Sequence, residues 1–283
     1  MTPNNNLSIL PFYLDITKQN HRKDYAFGDV FPLFTPDRTI LPFQIIRTHR
    51  ANAITQVLLK TIGGVTQATI TSPMAATGLV VNQYTDYDII VYPGILPMVI
   101  TTPEGPYYLQ LSDGVDTWYS DIFTIVRTVD NYLKITYWDT ESIMFPNGMI
   151  DFSNGFKFNV YLPTQVGKPD YDFEEQVDKR DGYQFVEKQI SKKVFKFNFL
   201  APEFLLDAMR IIRMVDNIEL TDRNDKYVAN SFLITPKWQD GGYLAAVEAE
   251  FECDTVIKKG GKGFIFFENG DYNDDFNNDY LNS

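Results

Sequence analysis

The chain has 283 residues, a formal net charge of −12, 44% apolar residues, and only two histidines and one cysteine. Hydrolytic, redox and metal chemistry leans on those two residue types, so His21, His49 and Cys253, far apart in sequence, point away from an enzyme and form no cofactor or metal motif. The acid excess argues against direct nucleic-acid binding, which needs Lys and Arg to neutralise phosphates, and no stretch approaches the roughly 20 apolar residues that span a membrane.

The N-terminus, Met1-Thr2-Pro3-Asn4-Asn5-Asn6, lacks the charged and apolar regions of a signal peptide. A single cysteine closes no internal disulfide, and Cys253 sits in a strand-like run where a thiol serves as a small core residue. The length and apolar content suit two cores. With 22 Phe, 17 Tyr and 3 Trp in short runs between turn residues, the composition is that of stacked β-sheets. The expected fold class is mainly β: two β-sandwich or barrel domains, the first immunoglobulin-like, the second with one docked α-helix.

Residues 1–34 read as an aromatic-rich arm, with Phe12, Tyr13, Tyr25, Phe27, Phe31 and Phe34. So many stiff rings pack on something, either the arm's own sandwich or a neighbouring subunit. His21, beside Arg22 and Lys23, reads as a surface histidine.

Residues 35–127 carry strand patterns near Leu41–Arg47, Thr55–Thr61, Gly78–Asn82, Tyr87–Tyr92, Tyr107–Leu111 and Thr117–Val126, at the spacing of an immunoglobulin-like sandwich. Gly63-Gly64, Ser72-Pro73 and Tyr92-Pro93-Gly94 supply reversals between them. The run Tyr107–Phe123 reads as a hairpin around Asp113-Gly114. Asp113 and Asp116 in its tip are expected to bind turn amides, not to act as a catalytic pair.

Beyond Thr128 charge density rises, with 27 acids and 18 bases in residues 127–283 against 10 and 7 before them. A second domain is expected over 128–264, opening with strands at Tyr132–Trp138 and Gly155–Leu162. Tyr171–Phe199 then reads as a long hairpin around Asp181-Gly182. Its returning arm places Phe195, Phe197 and Phe199 on one face and Lys196 and Asn198 on the other, the alternation of a half-buried strand. The outgoing section, Phe173–Arg180, is too polar for a core and too long for a turn, and offers a backbone edge to another chain. A helix is expected over 201–215, opened by Pro202 and Glu203, with apolar positions from Phe204 to Val215 that dock on a sheet. Strands near Ile218–Thr221, Tyr227–Pro236 and Tyr243–Val256 complete the domain.

The end, 265–283, is acidic, with the composition of a disordered tail. Asp271, Asn273 and Asp275 have the spacing that opens a calcium loop, but Phe276 stands where glycine is needed and no glutamate closes it. Tyr272, Phe276 and Tyr280, every fourth residue, suit a docking peptide. The residues expected at a subunit interface are therefore Phe12, Tyr13, Glu174, Glu175, Lys179, Arg180, Tyr272, Phe276 and Tyr280.

Three stretches, Tyr107-Tyr-Leu-Gln-Leu-Ser-Asp-Gly-Val-Asp-Thr-Trp-Tyr-Ser-Asp-Ile-Phe123, Ala201-Pro-Glu-Phe-Leu-Leu-Asp-Ala-Met-Arg210 and, downstream of it, Tyr243-Leu-Ala-Ala-Val-Glu-Ala-Glu-Phe-Glu252, resemble virion structural proteins from tailed phages and prophages of Bacteroidetes-type bacteria, including crAss-like phages. The resemblance implies a neck, ring or tail component, located in the virion and assembled in the host cytoplasm, with a long hairpin joining neighbours. The expected partners are copies of the same chain in a ring and other tail or neck proteins, with no cofactor, no membrane and no nucleic acid contacted directly. The alternative is a carbohydrate-binding β-sandwich acting at a cell surface, where exposed Trp and Tyr stack on sugars. A third class, a glycoside hydrolase using two of the 37 acids, has no pair singled out.

Overall fold

The computed structural model describes residues 5, 7–23, 32–36, 39–54, 56–70, 79–92, 102–180, 183–239 and 242–259. The fold is mainly β, in several sheets, and among the described residues helix is confined to short segments. The first half contains β1 (Phe12–Tyr13), α1 (Asn20–Lys23), β2 (Phe34–Pro36), β3 (Phe43–Thr48), β4 (Gln56–Thr61), β5 (Thr66–Ile70), β6 (Val80–Gln83), β7 (Tyr87–Tyr92), β8 (Gly105–Ser112), β9 (Thr117–Ser120) and β10 (Phe123–Val126).

Seven of these strands form one sheet, ordered β1-β9-β8-β10-β2, with β4 paired to β8 and β5 to β4. The run 117–126, expected as one strand, is two. Asp121 interrupts it by accepting the Ile122 N–H at 2.9 Å and giving its own N–H to the Pro11 carbonyl at 2.8 Å. β5 has too few apolar residues to stand out in the sequence. The Asp113-Gly114 hairpin forms as expected, with Gly114 at φ 82° and Asp113 Oδ1 accepting the N–H of Val115 at 3.0 Å and Asp116 at 2.8 Å.

The second sheet is β3-β7-β6. Every residue of β3 from Phe43 to Arg47 is buried, so both of its faces are covered. Phe43, Ile45 and Arg47 share one face, where the Phe43 ring sits 4.9 Å from that of Phe12. At the edge of β3 away from β7, Asn5 bonds both the N–H and the carbonyl of Ile46, and on the other face Gln44 Oε1 accepts the Asp151 N–H at 3.0 Å. The arm packs on its own chain: Ile9, Leu10 and Phe12 are buried. His21, expected at the surface, is buried on α1, with Nδ1 3.2 Å from Asp121 and its ring edge-on to Phe204. The adjacent Arg22 leaves the opposite impression because successive residues of a helix point different ways.

The second half contains β11 (Leu133–Trp138), β12 (Ile143–Phe145), β13 (Gly148–Ile150), β14 (Phe158–Leu162), β15 (Asp170–Arg180), β16 (Tyr183–Pro202), α2 (Glu203–Met209), β17 (Asn217–Asp222), β18 (Asp225–Ala229), β19 (Ser231–Lys237) and β20 (Leu244–Lys259). Its sheets are β14-β11-β17-β18, β12-β13 and β15-β16-β20-β19. The helix expected over 201–215 is shorter. After α2 the chain tightens into a 3₁₀ turn over Arg210–Met214 that buries the adjacent β-branched Ile211 and Ile212. Phe195, Phe197 and Phe199 are buried, and Lys196 and Asn198 between them are exposed, as the alternation requires.

The chain divides into two compact units, Met1–Gly167 with Lys196–Phe251, and Lys168–Phe195 with Glu252–Ser283. This differs from the boundary expected near 127–128. Asp151, beyond that boundary, bonds Gln44, Asn82 and Tyr84 before it, so both halves share the first unit.

Arg47, 4% exposed, lies between two buried carboxylates: Nε is 3.1 Å from Asp88 and Nη1 is 2.8 Å from Asp113. Arg50 Nε also reaches Asp113 at 2.8 Å, and its Nη2 reaches Asp116. Burial pushes the Asp113 carboxyl up, but the Asp116 and Val115 N–H groups and both arginines outweigh it and hold the group below the usual carboxylate range. Arg47→Met removes one cation from both acids, leaving Arg50 with Asp113 and His49 with Asp88, and is expected to cost about 3 kcal/mol in a urea titration at pH 7. Because the folded pKa of Asp113 is depressed, its stabilisation is present above the unfolded value of about 3.9 and is lost as pH falls further. The urea midpoint should drop between about pH 5 and pH 3, and less steeply in Asp113→Asn.

Candidate functional site

The second unit is built on the β15–β16 hairpin, paired antiparallel from Asp170 opposite Val194 to Arg180 opposite Tyr183, with a register shift between Gln176 and Val177. Directly opposed residues share a face, so the register sorts the side chains. One face carries Asp172 and Glu174 on β15 with Lys188 and Lys192 on β16. Lys192 Nζ lies 3.0 Å from Glu174 and 3.6 Å from Glu252 of β20. These two acids hold the Lys192 ammonium above the ordinary lysine range. A basic strand between two acidic ones keeps a water-exposed ribbon in register.

The opposite face carries Tyr171, Phe173, Glu175 and Val177, opposed to Lys193, Ser191, Gln189 and Val186. Glu175 accepts from Gln189 at 2.6 Å and Lys193 pairs with Asp254 at 3.2 Å. Between these polar pairs, Tyr171 is 60% and Phe173 70% exposed, and Val177 and Val186 are more than a third exposed. Val256 and Ile257 on the end of β20 are also exposed. A β-ribbon with two bare aromatic rings on one face is a surface suited to contact with another macromolecule.

Of the expected interface residues, Glu174 and Glu175 lie on this hairpin, on opposite faces, and Lys179 and Arg180 lie in β15 near its tip. Phe12 does not belong to an exposed surface: it is 2% exposed, its ring held against Phe43. Tyr13 is half-buried, its hydroxyl 2.6 Å from Asn20 Nδ2, and burial with the nearby Asp121 charge pushes its pKa up. Tyr272, Phe276 and Tyr280 lie outside the described residues. Tyr171 and Phe173 stand outside the expected interface set; their alternation with Asp170, Asp172 and Glu174 is a sequence signal, but alternation alone does not say which face stays bare.

The remaining chemistry-bearing groups serve the fold. His49 Nδ1 lies 2.6 Å from Asp88 at the end of the Arg47 network. Among the described residues, no three His, Cys, Asp or Glu side chains are grouped to hold a metal ion. Cys253 is buried, and burial followed by the Asp254 charge pushes its thiol pKa up, away from nucleophilic chemistry. Trp118 is buried, Trp138 is covered by Lys157 at 3.5 Å, and Trp238 is half-exposed.

No family model matches the chain, and no curated protein matches it. Among solved structures, the monoclinic crystal form of a ZIG-8–RIG-5 IG1–IG1 heterodimer aligns with 40% of this chain and 89% of its own, at 9% sequence identity and a TM-score of 0.17. A score of that size carries no argument about topology, partner or function.

Two outcomes are expected from these placements. Phe173→Asp, at a side chain that touches mostly water, should move the unfolding free energy by no more than about 0.5 kcal/mol. Cys253 should react with a thiol-specific chromogenic disulfide reagent only after denaturant is added; rapid reaction in buffer would mean that its strand opens.

Proposed function

We propose that this protein is a structural subunit of a phage virion tail or neck, which assembles with copies of itself into a ring, contacts other virion proteins and performs no catalysis. The observation that carries the assembly reading is the exposed Tyr171–Phe173 face of the 170–195 hairpin. Covering one such ring contributes about 1.5–3 kcal/mol, and a closed ring repeats the contact at every junction. The charged opposite face, with Lys192 between Glu174 and Glu252, supports a ribbon that keeps its shape before a partner arrives.

The virion class rests on the resemblance carried by Tyr107–Phe123 and the two later stretches. The acidic balance of −12 and the scarcity of histidine and cysteine suit a particle component that neither binds nucleic acid directly nor turns over a substrate. The exposed rings of Trp238 and Tyr171 favour the carbohydrate-binding alternative.

Sedimentation velocity over a concentration series, followed by negative-stain imaging, tests the assembly. The full chain should form oligomers and rings. Tyr171→Asp with Phe173→Asp should shift it to monomer while leaving the urea midpoint unchanged. A chain monomeric at every concentration that binds polysaccharide would overturn this reading in favour of the alternative.

A further inference from the structure

Three neighbouring strands line one polar groove of about 420 Å³, and every residue of its lining belongs to the first unit. β20, the middle strand, supplies Glu248 and Glu250; β16 on one side supplies Lys196 and Asn198, and β19 on the other supplies Thr235. The pleat sorts them: Phe197, Phe232, Val247 and Phe251 turn into the core, so the residues between them on each strand turn outward. Side chains two apart on a strand stand about 6.7 Å from each other, and adjacent strands lie about 4.8 Å apart. Two carboxylates are thereby set between a row bearing an ammonium and an amide and a row bearing a hydroxyl.

Lys237, at the end of β19, pairs with Glu248 at 2.5 Å. The Glu250 carboxylate, the Asn198 amide and the Thr235 hydroxyl take part in no hydrogen bond or ion pair among the described residues. They contrast with Asp113 and Asp151, whose oxygens the fold itself occupies. Lys196 and Lys237 balance Glu248 and Glu250, so net charge draws neither an anion nor a cation into the groove. Ala249 is the one apolar residue of the lining, which leaves little for an apolar ligand to bury against. The volume lies within the roughly 300–1,000 Å³ of ligand clefts and far exceeds what one ion or water fills. What remains is a ligand that donates to carboxylates and accepts from amine and amide at once, and a hydroxyl group does both.

We infer that this groove binds a neutral oligosaccharide, whose hydroxyls donate to Glu248 and Glu250 and accept from Lys196 and Asn198, with the Thr235 hydroxyl meeting the ligand from β19. The inference does not rest on the assembly reading, since the groove needs no second copy. In a ring each copy would carry one such groove, and linked weak sites gain avidity.

The full-length chain should bind at least one member of an array of neutral oligosaccharides of glucose, galactose, mannose and N-acetylglucosamine, and titration calorimetry with that member should give a single site per chain. Glu250→Gln and Asn198→Ala, each at a solvent-facing side chain, should each weaken it at least about tenfold with the urea midpoint unchanged. Tyr171→Asp with Phe173→Asp should leave the affinity per chain as it was. No binding to any neutral member, or binding confined to uronate- or sulfate-bearing chains on the same array, would overturn the inference. So would neutral binding that survives both groove variants, or that is lost only in the Tyr171 and Phe173 double variant, because the sugar would then sit elsewhere. A chain that binds through the groove but stays monomeric would leave this inference standing and overturn the assembly reading alone.

Discussion

A guanidinium taken out of water must be met by negative charge or the fold that buries it is lost, and Arg47 imposes that requirement on the first unit. Its position at the end of β3 is fixed by the pleat that also turns Phe43 and Ile45 toward the same face. Its partners come from different elements: Asp88 opposes it across β7, and Asp113 comes from the tip of the β8–β9 hairpin. Asp113 also holds its own turn through the amides of Val115 and Asp116, so one carboxylate shapes the tip and fixes where the tip docks. Arg50 extends the clamp to Asp116 and lies over the Trp118 ring at 5.5 Å. Two sheets are thus joined by charge as well as by the apolar contact of Phe12 with Phe43.

A second polar junction explains why residues on both sides of 127 belong to one unit. Asp151 is fully buried, its carboxylate accepting from Asn82, Tyr84 and the Ser153 amide. Burial pushes that carboxyl up, but Ser153, Tyr84 and Asn82 more than compensate and hold it below the usual range. Its backbone N–H is taken by Gln44. The carboxylates of Asp113 and Asp151 are thus occupied by the fold itself.

The β15–β16 hairpin obeys different physics. It has little core of its own, and surface ion pairs such as Lys192 with Glu174 contribute at most about 1 kcal/mol each. Backbone pairing and alternating charge hold the ribbon, leaving Tyr171 and Phe173 exposed on one face. The exposed aromatic face of this ribbon is the feature on which the proposed assembly rests.

Much of this was legible in the residue order. Alternation at Val194–Phe199, the Asp-Gly pair at 113–114 and the apolar run after Pro202 determined strands, a hairpin and a helix, because pleat period, turn geometry and helical period are local properties. The scarcity of histidine and cysteine set the direction of the functional reading. Tertiary structure alone decided that Phe12 and His21 turn inward, that Arg47 gathers Asp88 and Asp113, that Asp151 fuses the halves, and that Tyr171 and Phe173 stay bare. Periodicity records which residues share a face; what covers that face is set by segments tens of residues away, and no local pattern carries that information.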